Sequence, residues 1–380
     1  MLAHDADLEL FRDNFRRFLA EHVAPEYEAW EKTGIMPRDM WGKLGENGFL
    51  CVDMPEQYGG YGVPTNYSLM LVEEAARAGY GSLSTAISVH SEICAPYILH
   101  IGNEAQKQYW IPKMVSGEVV GAIGMTEPGA GSDLQSMRTS AILNGDHYVL
   151  NGSKTFISNG QHADLVILAA KTDPAARAKG VSLLLVDTHL EGFQKGSNLD
   201  KIGLHSQDTS ELFFDNVKVP ADQLLGQAGN GFAYLMQELP RERLGIAVTA
   251  IGAILGCLDV TTKYVNERQA FGQPIAKFQN TRFVLAQAKI DAMATAAFVN
   301  ECTEKYMAGQ MDPATASAVK AFATDMQCKV ADNLLQLFGG YGYMTEYPIS
   351  RFYVDARIQR IYGGTNEIMK EVVVREMLGR

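Results

Sequence analysis

The sequence predicts an α+β chain of three units: a helical N-terminal domain over residues 1–120, a middle antiparallel β-domain, barrel or sandwich, over 121–228, and a C-terminal four-helix bundle over 229–380. Three observations predict it. Apolar residues recur at intervals of three and four through the first third, short β-branched runs separated by turn dipeptides fill the middle, and long helix-period stretches return after Gly229.

In the first unit, Leu8, Phe11, Phe15, Phe18 and Leu19 share one helical face, so a helix over 8–23 is expected to end at Pro25. A second helix over 37–47 stops at Gly48, and the Gly- and Pro-rich stretch 54–64 is a loop. Helices over 66–77, 83–100 and 104–115 follow. In the middle unit, strands are expected over 119–125, 147–149, 156–158, 164–170, 181–186 and 212–219. Nothing of helical length separates them, which favours antiparallel pairing over a parallel α/β sheet. In the last unit, helices cover 232–268, bent at Pro240, then 278–307, 313–337 with Asp312 as N-cap, and 367–377.

Composition narrows the function. A net charge of −11 disfavours nucleic acid as a partner, because phosphate contacts need a basic face. Apolar runs such as 163–170 fall far short of the roughly 20 residues a bilayer requires, so no membrane span is expected. Asp5, Asp7, Glu9 and Asp13 fit neither a secretory leader nor an acid-poor transit peptide. The expected location is the cytoplasm, or the mitochondrial matrix for a processed form. Five scattered cysteines without a Cys-x-x-Cys pair read as reduced and buried, and eight histidines without ligand spacing imply no metal.

The stretch Ile123-Gly-Met-Thr-Glu-Pro-Gly-Ala-Gly-Ser-Asp133 follows a strand-like run and sets three glycines among hydroxyl and carboxyl groups. Such a turn can aim backbone N–H groups at a carbonyl or phosphate. No Lys-Ser/Thr follows the glycines and the third glycine of a dinucleotide fingerprint is missing, so alone it reads as an ordinary tight turn.

That stretch joins Gly152-Ser-Lys-Thr-Phe-Ile-Ser-Asn-Gly160, Glu267-Arg-Gln-Ala-Phe-Gly272, Gln336-Leu-Phe-Gly-Gly340 and Ile361-Tyr-Gly-Gly-Thr-Asn-Glu367 in one order. Together, over essentially the whole chain, they resemble the acyl-CoA dehydrogenase family. Glu238-Leu-Pro-Arg-Glu-Arg-Leu244 points to the long-chain branch, with the isovaleryl-CoA dehydrogenases next. The resemblance implies an FAD enzyme of fatty-acid β-oxidation type that oxidises an acyl-CoA to the trans-2-enoyl-CoA and passes electrons to an electron-transfer flavoprotein.

It also implies residue roles. Ile123, Met125, Thr126, Gly131 and Ser132 would lie along the flavin, with Ser132 also near the pyrophosphate or bound CoA. Phe156, Ile157 and Ser158 would form the second flavin contact; many relatives have tryptophan and threonine at the first and third of these positions. Arg268, Phe271 and Gln279 would reach the FAD of a neighbouring subunit, with Gln336, Leu337, Gly339 and Gly340 at its adenine end, which implies at least a dimer and commonly a homotetramer, a dimer of dimers. Thr365, Asn366 and Glu367 would complete the flavin contacts.

Most relatives carry the catalytic glutamate where this chain has Gly363. The backbone N–H of Gly363 can still reach a thioester carbonyl, with Gly364 beside it. In the long-chain and isovaleryl branches the base sits on another helix, at the position of Glu242, and Arg243 would add a substrate-site charge. Two further readings stay open: a flavin oxidase or monooxygenase of related fold, and a non-enzymatic acyl-binding scaffold suggested by the missing loop carboxylate. Acyl chain length, medium to long or branched, is not fixed by periodicity.

Overall fold

The computed structural model describes residues 6–379, so residues 1–5, part of the stretch weighed above as a leader, and Arg380 lie outside the described residues. Helix α1 (Ala6–Phe18) buries Leu8, Phe15 and Phe18 and runs into a π turn, Leu19–Val23. It is followed by α2 (Tyr27–Thr33), α3 (Asp39–Glu46), α4 (Thr65–Arg77), α5 (Gly81–Ile87), a π segment Ser88–Cys94, α6 (Ala95–Ile101) and α7 (Glu104–Val115). The helix expected over 83–100 is therefore one run widened in its middle to i→i+5 bonding, a local change that apolar spacing does not reveal. Gly48, at φ +72°, closes the turn after α3 as expected.

The middle unit is an eight-stranded sheet of β1 (Gly121–Gly124), β2 (Ser140–Asn144), β3 (His147–Ser158), β4 (Leu165–Lys171), β5 (Val181–Asp187), β6 (Phe193–Asn198), β7 (Thr209–Pro220) and β8 (Leu224–Leu225). Its order is β6-β7-β3-β2-β4-β5-β8, with β1 paired to β4. The wholly antiparallel expectation is corrected here. β1 runs parallel to β4, from Gly121 opposite Leu165 to Gly124 opposite Leu168, and β2 meets β4 in parallel at Ser140 and Lys171. The crossover between β1 and β4 contains the β2–β3 hairpin instead of a helix, so the absence of a helix did not exclude a parallel pair.

The expected strands 147–149 and 156–158 are the two ends of β3, whose register against β7 shifts between Leu150 and Gly152 and again between Lys154 and Ile157. β4 is buried along its whole length. Leu165, Ile167 and Ala169 join the core shared with the helices, while Val166, Leu168 and Ala170 face a second core inside the sheet domain.

The last unit comprises α8 (Gly231–Glu267), α9 (Gln279–Met307), α10 (Pro313–Leu335), α11 (Pro348–Gln359) and α12 (Asn366–Met377). Asp312 accepts from the Thr315 N–H at 2.7 Å to cap α10. α8 runs through Pro240, and it is the one described helix long and apolar enough to cross a membrane, a stretch the sequence reading passed over. Most of that apolar stretch is buried in the protein, where α4, α9, α10 and α11 pack on α8. It is the central helix of the helical core.

Candidate active site

α8 carries Glu242 into the interior, where it is 4% exposed. The Tyr97 hydroxyl, from α6, donates to its Oε1 at 2.9 Å. Burial pushes the carboxyl up to about 7; the Tyr97 hydrogen bond and the Arg243 charge pull it down, and Glu238 adds to the rise. A carboxylate in that state titrates near neutral pH, where a proton-abstracting base is most effective. Arg243 is also buried and donates to Ser317 Oγ at 3.0 Å, while its Nε has no hydrogen-bond partner among the described residues.

The loop before α12 lies against this face of α8. Gly363 and Gly364 have φ of +64° and +93°, and a Cβ on Gly363 would stand 2.4 Å from Ile246 Cδ1. Ile246 follows Glu242 by four residues, so both lie on one side of the helix. A Cβ on Gly364 would be 4.0 Å from Arg243 Nη2. From α10, the buried Lys320 ammonium donates to the Gly364 carbonyl at 2.7 Å and to Asn366 Oδ1 at 2.9 Å.

The Asn366 side chain is engaged within the protein. Asn366 is 1% exposed, and its amide is taken up by the Ala321 carbonyl, Thr324 Oγ1 and Asp325 Oδ1 of α10. Its side chain clamps the loop to α10 and has no polar atom left for a cofactor. Thr365 caps α12 by accepting from Ile368 N–H at 3.3 Å, and Glu367 is exposed in the first turn.

The two Gly-containing motifs of the middle unit meet. Thr155 N–H donates to the Thr126 carbonyl at 3.0 Å, and the fully buried Lys154 ammonium donates to the Met125 carbonyl at 3.0 Å and to Glu127 Oε1 at 2.8 Å. Phe156 is held at φ +60° and is 68% exposed. A large aromatic rarely adopts a left-handed conformation, and still more rarely with its ring in solvent. Ile157 is buried, Ser158 is half-buried opposite Thr209, and Gly131 and Ser132 are exposed. Ile123 and Met125 pack on the main core. β1 packs on the π segment that leads into α6 and Tyr97: Gly121 N–H donates to His90 Nδ1 at 3.1 Å.

A second group stands apart. Arg268 ends α8 with its guanidinium 5.2 Å from the centre of the Tyr341 ring. Arg268, Gln336, Leu337, Gly339 and Gly340 line one open cavity of about 550 Å³. A Cβ on Gly339 or Gly340 would meet nothing within 4 Å, so the glycines leave room for a ligand against the backbone. Phe271 is 95% exposed at φ +51°, and Gln279, the first residue of α9, is exposed. At about 1.5 Å per residue, Arg268 lies about 39 Å along α8 from Glu242.

Tyr97, Lys154 and Lys320 were missed by the sequence reading. Tyr97 sits in an apolar helical run that reads as core, and Lys320 in the alanine-rich α10. Lys154 had a signal, since a lysine between Ser153 and Thr155 in a motif flanked by strand residues invites a buried partner. Among the described residues no cluster of His, Cys, Asp or Glu could hold a metal, and all five cysteines are free thiols, four of them buried.

Comparison with known proteins identifies the family. The models of the acyl-CoA dehydrogenase N-terminal, middle and C-terminal domains match residues 5–118, 122–217 and 229–378. A long-chain specific acyl-CoA dehydrogenase of Sus scrofa mitochondria is 46% identical over 97% of this chain and 86% of its own. An isovaleryl-CoA dehydrogenase of Pongo abelii is 36% identical over 96% and 87%. The crystal structure of an acyl-CoA dehydrogenase from Geobacillus kaustophilus superposes with a TM-score of 0.96 at 46% identity, covering 99% of this chain and 100% of that one. The chain belongs to the acyl-CoA dehydrogenase family and is a flavoprotein-type oxidoreductase acting on acyl-CoA.

Proposed function

We propose that Glu242 removes the α-proton of a medium to long, straight or branched acyl-CoA on the way to the trans-2-enoyl-CoA. The observation that carries this reading is a buried carboxyl, raised to about 7, on the helix face that meets the Gly363–Gly364 loop. No carboxylate stands in that loop. Gly363 offers its N–H to the thioester carbonyl, where negative charge develops as the α-proton leaves. Lys320 fixes the adjoining Gly364 carbonyl, Tyr97 fixes the carboxylate, and Arg243 adds positive charge beside the loop.

The residues present suit FAD. Exposed Phe156 and the Met125–Thr126 backbone would hold the ring system, with Thr126, Ser158 and Thr365 as polar contacts and Gly131 and Ser132 at the rim. The cavity beside Arg268 and the Gly339–Gly340 backbone would take an adenine and pyrophosphate end. When bound, FAD supplies the acceptor for the β-hydride at N5. Because Arg268 is about 39 Å along α8 from Glu242, we assign its cavity, with Phe271 and Gln279, to the FAD of a second subunit. That makes a homodimer the smallest complete unit and a homotetramer the expected assembly. An electron-transfer flavoprotein is the proposed acceptor, in the bacterial cytoplasm or the mitochondrial matrix.

Anaerobic bleaching of the flavin by a panel of acyl-CoAs of different length and branching tests cofactor, reaction and substrate together. Glu242→Gln should leave a yellow, folded protein that no acyl-CoA bleaches; a loss of less than tenfold removes Glu242 from the base's role. Peroxide formation under air would instead mark an oxidase, and a purified protein without flavin absorbance an acyl-binding scaffold.

A further inference from the structure

Three successive residues of α8, Arg241, Glu242 and Arg243, are buried, and each is held by a different part of the protein. At about 100° per residue they point in three directions around the helix. Glu242 meets Tyr97 of α6, and Arg243 meets Ser317 of α10. Arg241 turns to the N-terminal domain. Its Nη2 donates at 2.6 Å to Asp53 Oδ2, in the segment between α3 and α4, and at 3.0 Å to Glu92 Oε2, in the π segment. Glu92 Oε1 in turn accepts from the Ser68 hydroxyl of α4. Both carboxylate side chains are buried with the guanidinium. Burial raises the Glu92 carboxyl, and the Arg241 charge draws it back. One guanidinium thus ties α8 to three elements of the N-terminal domain.

The reason for such an anchor lies one residue earlier. Pro240 has no N–H to give the Met236 carbonyl, and its ring crowds that carbonyl, so the α8 ladder is interrupted in the turn that leads into Glu242. We propose that Arg241, held between Asp53 and Glu92, is a positioning residue of the dehydrogenation: it fixes the direction in which the Pro240 turn delivers Glu242 to the α-carbon. The inference rests on Glu242 being the base. Arg241 faces the N-terminal domain and acts through Glu242 alone. A base displaced by about 1 Å can lose about a hundredfold in rate. Acyl-CoA binding, spread over the whole ligand, is affected far less.

The test is anaerobic stopped-flow bleaching of the FAD-loaded protein by dodecanoyl-CoA, which yields a rate constant at saturation and a separate dissociation constant. Arg241→Met leaves two buried carboxylates without their partner and should unfold more easily. In its folded, FAD-loaded form the rate constant should fall by about 10–100-fold, with the dissociation constant within about threefold of the parent. The triple variant Asp53→Val, Glu92→Met, Arg241→Met replaces the cluster by apolar side chains of similar size, an exchange that is often neutral or stabilising for buried ion pairs. It should regain the parent's resistance to denaturant without regaining its rate constant. A merely structural cluster would give both back, and that result overturns the inference. Glu92→Gln, with Asp53 still paired to Arg241, keeps the test open if Arg241→Met does not fold. It should lose about three- to tenfold in rate constant at an unchanged dissociation constant, and a parental rate there overturns the inference as well. Glu242→Gln run in parallel separates the two levels. If it still bleaches within tenfold of the parent, the base assignment fails and this inference with it. If it does not bleach while the Arg241 and Glu92 variants keep the parental rate constant, only the positioning role is wrong.

Discussion

Replacing Gly363 by alanine probes the contact that brings the Gly363 loop to the proposed base, Glu242. Two costs are expected. Gly363 has φ +64°, and a non-glycine residue there costs about 1–2 kcal/mol. The new Cβ would also stand 2.4 Å from Ile246 Cδ1, and forcing an extra carbon into such a contact costs about 1–3 kcal/mol. Gly363→Ala alone should therefore destabilise by about 2–5 kcal/mol. Ile246→Val, which removes Cδ1 from an 8% exposed side chain, should cost about 1 kcal/mol. Ile246 Cγ1 lies 3.9 Å from the same Cβ, an ordinary contact, so in the double variant the steric part vanishes while the backbone part remains. The pair should thus be more stable than the sum of the singles by about 1–3 kcal/mol. Denaturant unfolding of all four proteins at one protein and FAD concentration measures this, since cofactor and subunits also contribute to apparent stability. Additivity within about 0.5 kcal/mol would mean that loop and helix do not touch and would remove the geometric ground for facing Gly363 with Glu242. With the contact relieved, Gly363→Glu in an Ile246→Val, Glu242→Gln protein should regain part of the lost bleaching if both positions face one α-carbon.

Four other outcomes are expected. Bleaching by an acyl-CoA should rise with pH through about 7, because a Glu242 pushed up to that value carries a proton below it and cannot accept another. Tyr97→Phe removes a hydrogen bond that favours the ionised carboxylate, so the acid limb should move up by about one pH unit, with flavin content unchanged; a downward move would refute the assigned sense of that bond. Lys154→Met breaks a buried pair and frees the Met125 carbonyl, which should cost about 3–5 kcal/mol in unfolding and weaken FAD retention on dialysis; unchanged retention would detach Lys154 from the cofactor loop. Arg268→Ala and Glu242→Gln, each inactive alone, should regain activity when co-expressed, because a mixed dimer contains one site with both native residues. No recovery in demonstrably mixed dimers would return Arg268 to its own subunit.

How much of this was legible in the sequence depended on where each signal resides. Long helices such as α7 and α9 announce themselves because one face is apolar for many turns, and the expected bounds 104–115 and 278–307 match Glu104–Val115 and Gln279–Met307 closely. α2 escaped, since its seven residues leave few turns over which periodicity can show, and α11, as long as α7, was passed over as well. β4 was visible as a continuous apolar run because both its faces are buried. Its parallel neighbour was not, because pairing direction follows from the route of the chain between the strands. In the site, glycines and charges in motifs could be read, but burial could not. Asn366 and Glu367 stand side by side in one motif, yet the fold turns the first into α10 and leaves the second in water.

Placing the proposed base on α8 has a physical consequence that a loop position would not share. A glutamate at 363 would need a left-handed backbone beside Ile246, and the strain would be borne by a segment held mainly by Lys320 and Asn366. Glu242 instead projects from the central helix of the core, where Leu239, Leu244 and Ile246 are buried around it and Tyr97 limits its orientation. A carboxylate fixed by a helix keeps its geometry while the loop opposite can yield to different acyl-CoAs. The same placement imposes burial, and burial is what brings the carboxyl to about 7. Position and basicity are therefore set by one element, and a substitution that loosens the packing of α8 near Ile246 should lower both together, reading out as a slower bleaching rate and an acid limb displaced toward that of a solvated glutamate.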